Sequence, residues 1–298
     1  MPPLRTIVRP AELSGIGVHS GRPVRLALLP SEAGAVVFRR TDLGGAEMPL
    51  LAGNVEACFS TSIAAAGFRV RTIEHLLATL SAFGVGSLVV ELDAEELPIL
   101  DGSAAPFAEA LTAAGIRPLD RSVDPLVVRA PFSLAEEGAE IACGPPDPDD
   151  PGLDLSYAIE YAHPAIGSQS RSIRLTAETF VREIAPARTF GFLKDVEALR
   201  RQGLALGSSL ENTVVLDDSG VVNGPLRFPD EFVRHKILDL AGDLAVAGLP
   251  ILGRVAARKA GHRLHLRAVR RLIESIPPPA RNGPAYGAPS QRAGNRVR

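Results

Sequence analysis

Several features that would give a quick functional reading are missing from this chain. No stretch of about 18 consecutive apolar residues occurs, so the sequence offers no membrane-spanning helix. The start, Met1-Pro2-Pro3-Leu4-Arg5-Thr6-Ile7-Val8, lacks the apolar core of a signal peptide, and a cytoplasmic protein is expected. Cysteine is scarce: Cys58 and Cys143 stand far apart and outside any CxxC, so they read as buried free thiols in a reducing compartment. There is no HExxH pair, no Walker loop and no dinucleotide fingerprint. Excess charge is also lacking. The net charge of −2 speaks against a general polyanion binder, and no nucleic-acid partner is expected.

What is present is a globular composition, 298 residues with 46% hydrophobic side chains. This length suits about two domains of roughly 100–200 residues each. In the first stretch, strands are expected over 24–28, 36–39 and 87–92. A helix spans 73–83 and stops at Gly84, and another over 106–114 stops at Gly115. The polar, turn-rich run 117–125 marks a boundary between a module over 1–120 and a second over 125–276. The second repeats the order. Strands are expected over 126–129, 153–161 and 251–257, a short helix over 177–184, a long helix over 229–247 and a last helix over 264–276. Between the first two of these strands, 144–152 is too rich in proline and glycine for regular structure. In both halves a histidine-bearing helix, a glycine and a strand follow one another, which suggests two similar α+β modules facing one cleft. The tail over 277–298 holds Pro277-Pro278-Pro279 and four arginines but no acid, and is expected to be disordered. If it has a function, a signal to a regulatory protease or another partner fits.

The polar residues that break the apolar pattern carry the chemistry. In Phe232-Val233-Arg234-His235-Lys236-Ile237-Leu238-Asp239-Leu240-Ala241-Gly242-Asp243, residues four apart share a helix face, so His235, Asp239 and Asp243 project together. A surface hydrogen bond would explain such a pair. However, the helix is otherwise rich in Ile, Leu and Ala, and buried charges need partners or a metal. His75 could complete a three-ligand site, and its neighbour Glu74 could serve as base. His262 follows a strand beside Gly261, where catalytic groups often sit. His19 lies in Ser14-Gly15-Ile16-Gly17-Val18-His19-Ser20-Gly21, a glycine loop that is either a plain turn or a close backbone approach to a ligand. His163 and His265 read as structural or peripheral.

These fragments, with Arg39-Arg40-Thr41-Asp42, Thr72-Ile73-Glu74-His75-Leu76, Pro98-Ile99-Leu100-Asp101-Gly102-Ser103, Ala187-Arg188-Thr189-Phe190-Gly191-Phe192 and Gly261-His262, occur in one order. Over about 5–272 the chain resembles the UDP-3-O-acyl-N-acetylglucosamine deacetylase family, zinc amidases of lipid A synthesis in Gram-negative bacteria. The resemblance implies an α+β fold of two modules with helices packed between their sheets and the active site in the cleft between modules. It implies that His75, His235 and Asp239 bind Zn2+, with Fe2+ acceptable to the same donors. Glu74 would be the general base, Thr189 an oxyanion donor, and His262 the acid that protonates the departing amine, oriented by Asp243. UDP-3-O-acyl-N-acetylglucosamine would be the bound partner. Lys236, Lys259 and His19 would meet its diphosphate or sugar, and Phe190 and Phe192 its sugar and the mouth of an acyl passage. An insert over about 193–223, with apolar Leu193, Val196, Leu199, Leu204, Leu206, Leu210, Val214 and Val215, would form that passage. The chain departs from the family where it has His265 in place of an Asn, and at Ser208-Ser209. A silent binding homologue is the alternative, opposed by the presence of every catalytic group.

Overall fold

A computed structural model of the chain describes residues 3–50 and 54–275. Strand Pro23–Pro30 shows why the first half forms a sheet: Val24, Leu26 and Leu28 point into the core while Pro23 and Arg25 face out. It lies in a five-stranded sheet of order Ala11–Ile16, Pro23–Pro30, Leu88–Leu92, Val36–Arg40, Ala46–Pro49. The central Leu88–Leu92 pairs antiparallel with Pro23–Pro30 and parallel with Val36–Arg40. The second half has the order Phe132–Glu136, Ala139–Gly144, Ile251–Arg258, Leu153–Glu160, Ser168–Arg174. Its central Ile251–Arg258 again pairs antiparallel on one side and parallel on the other, and short Leu126–Val127 adds a parallel pairing. Numbered along the chain, and leaving Leu126–Val127 aside, both sheets run 1-2-5-3-4. The expected pair of similar α+β modules is therefore a repeat of topology.

The helices occupy matching places. In the first half α1 (Glu74–Phe83) precedes the central strand and α2 (Ala105–Ala114) follows it. In the second half come α3 (Ala177–Thr179) and α4 (Leu193–Arg201), then α5 (Glu231–Ala245) before the central strand and α6 (His262–Glu274) after it. Helix α1 carries Glu74 in its first turn, favourable to the helix dipole, and ends on Gly84 at φ 67°. Helices α1 and α5 pack together, and one core of buried side chains runs through them and the inner faces of both sheets. Gly242, inside α5, makes this contact close, because a Cβ there would run into the Glu74 backbone.

Some boundaries differ from expectation. The long helix starts at Glu231, leaving Pro229 outside, since Asp230 sits in a non-helical conformation. The last helix starts at His262 because Gly261, extended at φ −125° and ψ 177°, is its N-cap. The expected helix over 177–184 splits into α3, capped by Thr176, and a π-type turn Phe180–Ile184. Cys143 is buried as expected. Cys58 is exposed, as the last residue of edge strand Val55–Cys58 beside the left-handed turn at Phe59. No described helix is long and apolar enough to cross a membrane. The tail over 277–298 lies outside the described residues.

Candidate metal centre and cleft

The first turn of α1 and the middle of α5 meet where Gly242 admits Glu74. This brings together His75, His235 and Asp239, whose ligating atoms all lie within 4.8 Å of one another. Asp239 Oδ1 is 4.0 Å from His75 Nε2 and 3.4 Å from His235 Nε2. His235 Nδ1 donates to the Ala187 carbonyl at 3.1 Å, which leaves Nε2 as the lone-pair nitrogen facing the centre. Burial, reinforced by His235, drops His75 to about 3, and burial likewise lowers His235, so both imidazoles are neutral. Burial alone would raise Asp239, but Lys236 and the imidazoles outweigh it and hold the carboxyl well below its usual range. Lys236 Nζ lies 2.7 Å from Asp239 Oδ2. Two neutral imidazoles and one carboxylate, all buried, are a donor set suited to Zn2+ or Fe2+ with a position left open.

One turn further along α5, Asp243 organises a second cluster. Its Oδ2 accepts from His262 Nδ1 and His265 Nδ1, each at 2.7 Å, and its Oδ1 accepts from the Thr61 hydroxyl. Burial lowers His262, but the charge and hydrogen bond of Asp243 prevail and raise it to about 9. This wins against the N-terminal end of α6, whose dipole disfavours a cation. Between the clusters, Glu74 Oε2 accepts from the Thr61 N–H at 3.0 Å, and burial pushes its carboxyl up to about 8 against the opposing charge of His262. His265 is therefore not peripheral. It is fully buried on the oxygen that His262 uses. Its place three residues after His262, where the family has an Asn, was the available signal.

A cleft of about 540 Å³ opens over these groups. It is lined by His19, Glu74, His75, Thr189, Phe190, Phe192, His235, Lys236, Asp239 and His262, so most of the expected site converges. Thr189 is held by its N–H to the Gly102 carbonyl at 2.8 Å. Asp243 stands behind His262, outside the lining. Lys259 is also outside it, partly exposed at φ 52°, with Nζ 2.6 Å from Glu160 Oε2. Within the insert, Val196, Leu199 and Val215 line the cleft, Leu204 and Val214 are buried, and Leu193, Leu206 and Leu210 are exposed. The wall also contains Phe59, Thr72 and Ala205, non-glycine residues at φ 59°, 57° and 53°. Backbone strain of this kind collects at functional sites.

The chain is similar to known proteins over nearly all of its length. The UDP-3-O-acyl N-acetylglycosamine deacetylase family model matches residues 4–274. A UDP-3-O-acyl-N-acetylglucosamine deacetylase of Thermodesulfovibrio yellowstonii is 42% identical over 279 residues, covering 92% of this chain and 93% of that protein. The Myxococcus xanthus protein of the same name is 43% identical over 273 residues, covering 90% and 86%. One from Leptospira biflexa is 41% identical over 276 residues, covering 91% and 90%. With a repeated α+β topology, a His2Asp cluster at the crossing of two helices and a match over nearly its whole length, the chain belongs to the UDP-3-O-acyl N-acetylglycosamine deacetylase family.

Proposed function

We propose that this protein hydrolyses the N-acetyl group of UDP-3-O-(3-hydroxyacyl)-N-acetylglucosamine. The products are UDP-3-O-acyl-glucosamine and acetate, at the committed step of lipid A synthesis. The observation that supports this best is the side-by-side wiring of two buried clusters. One is neutral imidazole and carboxylate suited to Zn2+; the other is a carboxylate-bound imidazole kept protonated.

His75, His235 and Asp239 would hold the ion, which when bound polarises water and the acetamide carbonyl. Glu74, buried at the cleft floor and held by the Thr61 N–H, takes a proton from the attacking water. The water oxygen adds to the acetyl carbon, and the Thr189 hydroxyl donates to the carbonyl oxygen as it gains charge. His262 keeps Nδ1 on Asp243 and presents Nε2 to the cleft. From Nε2 it gives a proton to the sugar nitrogen as the C–N bond breaks, so acetate and a free amine leave. Phe190 and Phe192 form an apolar wall beside the reacting centre. Val196, Leu199 and Val215 continue it, as a 3-O-acyl chain requires.

Acetate release from UDP-3-O-(3-hydroxyacyl)-N-acetylglucosamine, before and after chelation and after zinc is returned, tests the reading. Release that stops on chelation and returns with zinc is expected. A folded, metal-loaded sample that releases none would overturn it.

A further inference from the structure

Glu96 takes no part in the chemistry above, yet it is only 1% exposed. It lies between strand Leu88–Leu92 and α2. Its carboxylate accepts from the His19 N–H at 2.9 Å, the Ser20 N–H at 2.7 Å and the Thr72 hydroxyl at 2.9 Å. A buried carboxylate is costly unless its oxygens are satisfied, and these donors supply that. Gly17 makes room, because a Cβ there would run into the Glu96 carboxylate. The segments tied by Glu96 are both cleft wall. Thr72 stands two residues before Glu74, and His19 belongs to the loop 17–21; both line the cleft.

The far side of that loop is bonded to the other half of the molecule. Leu206 N–H donates to the His19 carbonyl at 3.1 Å and Gly207 N–H to the Val18 carbonyl at 3.0 Å. Ala205 N–H points to His19 Nδ1 at 3.4 Å. Nδ1 is then the acceptor nitrogen, so neutral His19 carries its proton on Nε2, as a donor. The loop is a strap between the two halves. Its backbone amides at His19 and Ser20 are turned inward to Glu96, which leaves the imidazole as its polar contribution to the cleft.

We propose that Glu96 is a positioning residue for substrate binding. It anchors the 17–21 strap to the Glu74–His75 turn, so that His19 Nε2–H is preset to donate to an oxygen of the nucleotide-sugar head group. This rests on the deacetylase reading for its substrate, but the anchor can be measured without turnover.

The test uses the full-length, zinc-loaded protein with Glu96→Gln, Gly17→Ala, His19→Ala and the double variant Glu96→Gln/His19→Ala. An amide in place of the carboxylate turns an N–H toward a backbone N–H, and an alanine at 17 displaces the carboxylate from the other side. The KM for UDP-3-O-(3-hydroxyacyl)-N-acetylglucosamine should rise about tenfold in Glu96→Gln and Gly17→Ala, with kcat within about twofold of wild type. In the His19→Ala background the Glu96→Gln change should add little. A fall in kcat at constant KM, or effects that simply multiply, would overturn the role. Amide hydrogen exchange at His19 and Ser20 should accelerate by about tenfold or more in both single variants while α1 stays protected. Unchanged exchange there refutes the anchor whatever the kinetics. Faster exchange in a protein whose wild type releases no acetate supports the anchor and overturns the deacetylase reading alone. If Glu96→Gln does not fold, Gly17→Ala carries the same outcomes.

Discussion

The two halves share a strand order and helix placement, yet they contribute unlike things to the cleft. Helix α1 offers Glu74 and His75 from its first turn, in the proposed function one base and one ligand. Helix α5 offers His235, Asp239 and Asp243 along one face, in the same proposal two ligands, together with the carboxylate that hydrogen-bonds His262. The halves also differ at one topological point, between the outer strand and the helix that precedes the central strand. The first half fills it with the meander Val55–Cys58, Ser60–Ala65, Phe68–Arg71, from which Thr61 reaches both Glu74 and Asp243. The second half fills it with the segment that supplies Thr189, Phe190, Phe192 and α4. A repeated scaffold has thus been filled differently at corresponding places: the first half inserts a meander whose Thr61 bonds Glu74 and Asp243, and the second an apolar segment that lines the cleft.

This division can be broken most severely at Asp239. Asp239→Ala should lose the metal and reduce acetate release to background, because His235 and a lone histidine from α1 hold an ion poorly. Metal content by mass spectrometry reads this directly, and full occupancy in the variant would remove Asp239 from the ligand set. Glu74→Ala attacks the contribution of α1 without touching the ion. It should keep its zinc and lose roughly 10²–10⁴ in kcat. Wild-type turnover would exclude Glu74 as the base.

The proton side is next. His262 must carry its proton to act as an acid and is raised to about 9, while Glu74 must have lost its own to act as a base and is pushed up to about 8, so kcat/KM should peak between these values. It should fall about tenfold per pH unit on the acid side as Glu74 takes up a proton, and about tenfold per unit on the alkaline side as His262 loses one. His262→Ala should lower kcat far more than it changes KM, and it should lose the alkaline limb of the profile. A profile that keeps the limb in the variant would assign it to another group.

Gly242→Ala tests the helix crossing itself. Alanine is better than glycine inside a helix by about 1 kcal/mol, but its Cβ would meet the Glu74 backbone at the crossing. Overpacking of a tight contact costs about 1–3 kcal/mol, so the clash should win and Tm should fall by a few degrees. A rise in Tm would mean that α1 and α5 can move apart freely and that the site does not depend on their close approach.

How far the amino-acid sequence disclosed this depends on distance along the chain. Helices α1 and α5, with Gly84 and the i, i+4 face of His235 and Asp239, are local patterns and were legible. The shared 1-2-5-3-4 order is made by pairings such as Ile251–Arg258 with Leu153–Glu160, about a hundred residues apart, which no local pattern specifies. Glu96 was missed because Glu95-Glu96 beside Asp93 reads as a solvated turn, and only the returning 17–21 loop buries it. Lys259 was expected at the head group, but its Nζ lies 2.6 Å from Glu160 Oε2 and the residue does not line the cleft. Of the residues placed by distant loops, His19 and Thr189 were reached only through the family resemblance, and Glu96 was not reached at all.

The finest test concerns the place where the two halves match and their residues do not: α2 and α6 both follow a central strand, but only α6 opens with a histidine and buries a second one a turn later. His265 donates to the same Asp243 oxygen as His262, so each imidazole sees a carboxylate partly neutralised by the other. With His265→Leu, that oxygen would belong to His262 alone, and His262 should hold its proton more tightly. The alkaline limb of kcat/KM should move upward by a fraction of a pH unit to about one unit, with zinc content unchanged. His265→Asn, which can still donate an amide N–H to Asp243, should bring the limb back toward wild type. A limb that stays in place in the leucine variant would mean that Asp243 has charge to spare for both histidines and that α6 uses His265 only to fill its buried face.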